Sequence, residues 1–385
     1  MSRPTVHRSR CAAVPPHRLA WFGSGHAFLQ AQVDAIEAAK TQVRLETYIF
    51  SDSHVGRIFG DVLVAAARRG VRVEVLLDGF GSAGLPEDFF ASLRAAGGQQ
   101  KYFNQPRLGR WALRDHRKIL LIDDTTAFVG GCNIADEYDG DGVGHGWGDG
   151  GVAVTGTVLV ALRTEFIEQW RRADRKQWEL VRGGVARQGG SRADVLALLM
   201  KPGVGPSPLR TALREDLKRA RDIVLTSAYF LPSRRLRAQI RHARQRGARV
   251  RVLLAGKSDV ALMAMASQSL YRGLMRAGVE VYEYQPQVLH AKTMVLDDIV
   301  YVGSSNLDPR SLRINFEVML RIKSAKLASE VRAQFEADLG HSRKVTLADT
   351  VGFRSWWSRL KQRFAFFLLG RLDPWIAREH LRRMR

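Results

Sequence analysis

The sequence predicts an α/β fold assembled from two similar halves. Three observations carry that reading. Segments of strand and helix character alternate along the chain, the pattern of sheets covered by helices on both faces. The order of those segments occurs twice. At 385 residues the chain is long enough for two units with separate cores.

In the first half a strand is expected from Val43 to Phe50, a helix from Val55 to Arg69 and a strand from Val71 to Leu77. The second half repeats the order with a strand from Ile223 to Phe230, a helix from Arg234 to Arg246 and a strand from Ala248 to Leu254. Each half then reaches one short pattern, HxKxxxxD, which runs from His116-Arg117-Lys118 to Asp123 and from His290-Ala291-Lys292 to Asp297. A small-residue turn ending in Asn follows each copy: Gly130-Gly131-Cys132-Asn133 and Gly303-Ser304-Ser305-Asn306. The apolar runs inside the pattern, Ile119 to Ile122 and Met294 to Leu296, suit buried strands with a polar pair at one end. Between 181 and 208, Gly, Pro and Arg cluster and the hydrophobic period is lost, which marks the boundary between the halves. The expected division is a polar N-terminal arm at 1–18, a first unit at 19–190, a second at 191–345 and a basic tail at 346–385.

In an extended strand residues i and i+2 share a face, so His116 points with Lys118 and His290 with Lys292. One such pair is an ordinary surface or core feature, but two copies with the same downstream Asn turn are not. The set suits phosphodiester chemistry. The transition state spreads negative charge over the nonbridging oxygens, where Lys118, Lys292 and the amides of Asn133 and Asn306 would stand in place of a metal ion, so neither a metal nor a cofactor is expected. One neutral imidazole attacks phosphorus, and the other, protonated, delivers a proton to the leaving alkoxide. Asp123 and Asp297 complete the candidate set, although they lie beyond the apolar stretch, where tying a local loop is the competing role. An imidazole also needs a partner on its second ring nitrogen. Glu317 and Asp149 are the candidates, and which serves which histidine is left open.

With these residues in place, the chain resembles the phospholipase D superfamily and, within it, the bacterial cardiolipin synthases of the B type. The resemblance runs from about Leu19 to about Arg332 and continues into the tail. Supporting stretches are Leu45 to Phe50, Arg69 to Val73 with Leu77-Asp78-Gly79, Phe128 to Gly131, Ala228-Tyr229-Phe230 and Gly303 to Asp308. It implies two α/β/α sandwich domains packed about a pseudo-twofold axis with both motifs at one site, and phosphatidyl transfer through a covalent phosphohistidine. By the same resemblance His116 is the nucleophile and His290 the acid. Departures are Gly131 for a Ser in the first turn, Cys132 at a varied position, and a Gly- and Asp-rich insertion from Asp139 to Gly146.

Composition sets the partner class. Lys and Arg total 60 against 38 Asp and Glu, a net +22, which favours anionic phospholipid surfaces or nucleic acid. Two cysteines exclude a disulfide framework, and the N-terminus lacks the apolar stretch of a signal peptide. No run approaches the roughly 20 apolar residues of a membrane span. In the tail, Phe353, Trp356, Trp357, Leu360, Phe364, Phe367 and Leu368 recur at helical spacing, with Arg354, Ser358, Lys361 and Gln362 on other faces. Trp375 and the basic end Arg382-Arg383-Met384-Arg385 extend that character, which reads as an interfacial helix, with docking on the core as the other use of the stripe. The expectation is a phosphatidyltransferase held peripherally at the cytoplasmic face of a bacterial membrane. A phospholipase D-type hydrolase or a nuclease of the same superfamily is the alternative. The aromatics concentrate in the tail rather than among the basic residues of the body, which disfavours nucleic acid.

Overall fold

The computed structural model describes residues 18–105, 113–173, 193–203, 207–351 and 364–369. The first half contains β1 (Leu19–Phe22), α1 (Gly25–Ala38), β2 (Gln42–Thr47), α2 (His54–Arg68), β3 (Arg72–Asp78), α3 (Ala91–Ala95), β4 (Gln99–Phe103), β5 (Ile119–Ile122), β6 (Thr126–Gly130), β7 (Gly151–Val154) and α4 (Val158–Arg172). The second contains β8 (Val195–Met200), α5 (Pro208–Leu217), β9 (Asp222–Ser227), α6 (Arg234–Gln245), β10 (Arg249–Lys257), α7 (Ala261–Arg276), β11 (Glu280–Val288), β12 (Lys292–Leu296), β13 (Ile299–Gly303), β14 (Glu317–Lys323), α8 (Ala325–Gly340), β15 (Ser342–Lys344) and α9 (Leu347–Val351).

Both sheets are wound the same way. The first has the order β1-β7-β6-β5-β2-β3-β4, and the second, read from β8, is β8-β14-β13-β12-β9-β10-β11 with β15 added at the edge. Only β2, β3, β4 and their counterparts β9, β10, β11 pair in parallel; the motif strands open antiparallel meanders. Simple strand-helix alternation therefore describes half of each sheet. The strands expected to reach Phe50 and Phe230 stop at Thr47 and Ser227. Beyond those points the chain leaves the sheet, and Phe50 and Phe230 each bridge instead to the residue after the Asn turn, Ile134 and Leu307.

Alternation along the motif strands sorts side chains into layers. Leu120 and Ile122 enter the core under α1 and α2, and Met294 and Leu296 enter the corresponding core under α5, α6 and α7. Ile119, Leu121 and Val295 face inward, into one core that both sheets share with α4 and α8. The motif aspartates belong to this scaffolding. Asp123 and Asp297 both adopt left-handed backbone, φ 51° and 52°. Their carboxylates accept N–H groups of Thr41 and Gln42 and of Arg221 and Asp222, at the starts of the neighbouring strands. They stand at the opposite end of β5 and β12 from the histidines, which corrects their inclusion among the site residues.

Of the tail, residues 346–351, which hold α9, and 364–369 are described. Ala365 is buried and Phe366 and Leu369 pack on the outer core of the second half, while Phe364 and Phe367 are exposed. Phe353, Trp356, Trp357, Leu360, Trp375 and the basic end lie outside the described residues. Among the described residues no helix is long and apolar enough to cross a membrane.

Arg117, between the motif His and Lys, points the other way, into the shared core. Its guanidinium is fully buried, pairs with Glu46 at 3.2 Å and Glu165 at 3.0 Å, and lies over the Phe316 ring from the second half. Glu165 also takes Lys201 of the second half at 2.7 Å. Removing one partner of a buried pair strands the other charge, at about 3–5 kcal/mol. Arg117→Met should therefore lose about that much stability in urea denaturation. A loss within experimental error would show that the network is dispensable.

Candidate active site

Each histidine sits just before or at the mouth of its motif strand, where the chain crosses to the opposite half. The His116 N–H donates to the Phe316 carbonyl at 2.9 Å, and the Phe316 N–H donates back to Arg114 at 2.9 Å. In the same manner the N–H of His290 donates to the Gly148 carbonyl and that of Gly148 to Val288, both at 2.8 Å. These two short parallel bridges place a carboxylate from one half beside the imidazole of the other. Glu317 accepts from His116 Nδ1 at 3.0 Å, and Asp149 from His290 Nδ1 at 2.6 Å. The assignment left open by the sequence is thus a crossed one. Both carboxylates are buried. With Nδ1 engaged, the tautomer that carries its proton there leaves the Nε2 lone pair of His116 available, whereas that of His290 faces Lys292 Nζ at 2.9 Å.

The lysines complete the cluster. Lys118 Nζ donates to the His116 carbonyl at 2.8 Å and lies 5.2 Å from the Tyr48 ring centre. Lys292 Nζ donates to the His290 carbonyl and lies 2.7 and 2.9 Å from the two ring nitrogens of His290. Tyr48 tilts against His116 at 4.9 Å, and Tyr138 and Trp147 wall His290 at 5.1 and 5.5 Å. Burial dominates the titration of every cation here. It lowers Lys118 to about 7 and Lys292 to about 8, against the pull of Glu317 and Asp149. Burial likewise lowers His116, opposed by Glu317, and lowers His290 to about 4 with the help of the Lys292 charge. For Asp149 burial acts upward, but the bond to His290 and the charge of Lys292 overcome it and hold the acid below its usual range.

Asn133 and Asn306 are buried at equivalent places. Their Oδ1 atoms accept the N–H groups of Ile49 at 3.1 Å and Tyr229 at 3.4 Å, and Asn133 Nδ2 donates to the Tyr138 hydroxyl at 2.6 Å. These bonds fix the segments after β2 and β9. For Asn133 they leave only the second amide N–H for the oxyanion contact expected of it. The turns themselves differ. Ser304 donates to Glu317 Oε2 at 2.5 Å and accepts the Val318 N–H at 3.1 Å. A Cβ at Gly131, the equivalent position, would stand 2.4 and 2.5 Å from the two Asp149 oxygens. The glycine noted as a departure is thus the space into which the shorter acid fits. Cys132 is buried, and burial pushes its thiol well above the usual range. Sequence reasoning passed over Tyr48, Tyr138, Trp147 and Ser304, whose only signal is nearness to the motifs.

A duplicated sheet whose two HxK segments meet at one crossed pair of dyads defines a phospholipase D-like fold. The chain belongs to the family described as cardiolipin synthase, PLD-like domain, whose model matches residues 33–138 and 213–339. It is 33% identical over 347 residues to the major cardiolipin synthase of Bacillus subtilis, covering 88% of this chain and 72% of that protein. To cardiolipin synthase B of Salmonella typhimurium it is 32% identical over 355 residues, covering 90% and 86%. Among solved structures, phosphatidylserine synthase of Haemophilus influenzae superposes with a TM-score of 0.72 at 15% identity, covering 94% of this chain and 95% of that one. That similarity concerns the fold.

The lowered lysine pKa values set a pH dependence for anion binding. With both histidines neutral, two Lys cations and two carboxylates balance, so a bound monoanion favours proton uptake. The affinity for dibutyl phosphate, whose charge is constant near neutrality, should fall as pH rises through 7 to 9, by up to about tenfold per pH unit where one proton is taken up. Calorimetry in buffers of different ionisation enthalpy measures both quantities. Affinity that rises or stays level over that range would remove the lysines from the anion site.

Proposed function

We propose that this chain is a phosphatidyltransferase that makes cardiolipin from phosphatidylglycerol and the hydroxyl of a second phospholipid, through a phosphohistidine. The observation that supports it best is the pair of crossed dyads, His116 with Glu317 and His290 with Asp149, buried beside Lys118 and Lys292. In the first step His116 Nε2 attacks phosphorus, the bond to the headgroup oxygen breaks, and His290, protonated when the anion binds, gives its proton to the departing glycerol. In the second step His290 takes the proton of the acceptor hydroxyl. That oxygen attacks phosphorus and the P–N bond breaks, which returns His116 to its starting state. Lys118 and Lys292 stabilise the charge on the nonbridging oxygens in both steps, with Asn306 and the remaining N–H of Asn133 as further donors. Glu317 and Asp149 are positioning residues, holding tautomer and direction.

The choice of His116 as nucleophile is supported by exposure. Its side chain is 15% exposed against 6% for His290, and its bond to the carboxylate is the longer one. The shorter bond to Asp149 opposes the burial and the Lys292 charge that depress His290, and the incoming anion must offset the rest for His290 to carry the proton. A peripheral position at a membrane, which we place on the cytoplasmic face, is supported as to membrane contact by anionic lipid substrates and the net charge of +22, with the exposed Phe364 and Phe367 as apolar contacts.

His116→Ala and His290→Ala should each reduce cardiolipin formation from labelled phosphatidylglycerol vesicles by at least about 10²-fold, the usual scale for such roles. Acid-quenched His290→Ala protein should carry the phosphatidyl adduct on His116. An adduct found instead on His290 of His116→Ala protein reverses the order.

Because one phosphodiester is exchanged for another, the reaction should respond to its released alcohol. Added glycerol should suppress cardiolipin formation in proportion to its concentration and regenerate phosphatidylglycerol from cardiolipin. Phosphatidic acid as the main product, indifferent to glycerol, marks a hydrolase, and rapid DNA cleavage without lipid turnover marks a nuclease.

A further inference from the structure

Helix α6 carries Arg234, Arg235, Arg237, Arg241 and Arg244 and no carboxylate. Residues 234, 237 and 241 fall on one face by their spacing of three and four. They form the wall of a cleft of about 290 Å³ between α6 and α7, whose floor is apolar and includes Ile240, Leu270 and Leu274. No acidic residue lines it. Burial, and then the charges of Arg234 and Arg241, hold the Arg237 guanidinium below its usual pKa, and its Nε is buried without a hydrogen-bond partner among the described residues. Like charges held together over an apolar floor are costly unless an anion joins them.

The described piece of the tail abuts this cleft. The guanidinium of Arg237 lies 5.8 Å from the Phe366 ring, and the neighbouring Phe364 and Phe367 are 61% and 49% exposed. A second basic group, Arg210, Arg235 and Arg313, sits close enough that burial and the other two charges lower Arg210 as well. Arg313 follows the Asn306 turn of the candidate active site in sequence and is exposed.

We propose that the cleft between α6 and α7 is a second, non-catalytic phospholipid site, in which Arg234, Arg237 and Arg241 hold the phosphate of an anionic headgroup, the apolar floor takes the glycerol and first acyl carbons, and Phe364 and Phe367 enter the bilayer beside it. The combination of guanidiniums, apolar floor and exposed aromatics fits a lipid better than a nucleic acid, which would present phosphate without an apolar neighbour. The site rests on the membrane part of the proposed function and is independent of the chemistry at His116.

The full-length chain is tested by co-sedimentation with phosphatidylcholine vesicles that contain or lack phosphatidylglycerol. Each basic residue near an anionic surface is worth about fivefold in affinity. The triple variant R234Q/R237Q/R241Q should therefore bind the anionic vesicles more than about tenfold more weakly. It should turn over water-soluble short-chain phosphatidylglycerol as the unaltered chain does. Gly273 lines the cleft and a Cβ there meets nothing within 4 Å, so Gly273→Phe fills the cleft at constant charge and should also weaken anionic-vesicle binding. The triple variant R57Q/R68Q/R94Q removes equal charge from exposed positions of the first half and should retain most of the binding. Equal loss in both triple variants, or unchanged binding in Gly273→Phe, would overturn the site in favour of a diffuse basic field. Loss of DNA binding with vesicle binding intact would assign the face to nucleic acid. Loss of soluble-substrate turnover in the first triple variant would place these arginines in the catalytic apparatus and equally overturn the inference.

Discussion

Each imidazole is held by an acid that the other half supplies. That exchange is the constraint on which the rest of the structure depends. Glu317 reaches His116 only because Phe316 bridges to the segment around Asp115, and Asp149 reaches His290 only because Gly148 bridges to Leu289. Neither half has a complete dyad by itself. The reciprocity is that of a twofold contact, in which a patch on one unit meets its own equivalent on the other. The shared core with α4 and α8 and the buried Arg117 network serve that contact by fixing one sheet against the other.

Bringing two lysines, two imidazoles and two carboxylates into one buried place has an electrostatic consequence. Lysines, imidazoles and carboxylates lose hydration together, and burial then outweighs pairing for the cations, which is why both lysines fall toward neutrality. Such a site is poised for an anion. It also explains why the aromatic rings of Tyr48, Tyr138 and Trp147 stand against the imidazoles, since they exclude water from the ring faces and leave the nitrogens as the reactive edge.

The two halves repeat each other in detail, yet they are not interchangeable. The Asn turns and the motif aspartates perform the same backbone tasks in both. The carboxylates differ in length, and the turn beneath each has adjusted: glycine under Asp149, a hydroxyl donor under Glu317. That difference breaks the symmetry of the site. It gives the two histidines different environments from which different roles can follow. The outer surface diverges further, since the docked tail segment and the arginine row of α6 belong to the second half.

The sequence by itself determined the duplication, the α/β class and the identity of the His and Lys pairs, because these follow from local spacing: i and i+2 on a strand, and one pattern written twice. It also named both carboxylates as candidate partners of the imidazoles, and it marked the aspartates of the pattern as doubtful chemistry. What it left undecided were matters of long-range contact. The crossed pairing of Glu317 and Asp149 depends on bridges between residues some 200 positions apart in one case and 141 in the other. The early ends of β2 and β9 depend on the Asn turns to which the chain departs, and the antiparallel half of each sheet depends on hairpins that alternation of strand and helix does not register. Burial of Arg117, Asp149 and the lysines was likewise a tertiary decision. A charged side chain reads as solvated from sequence, and only the meeting of two sheets removes its water and gives it partners.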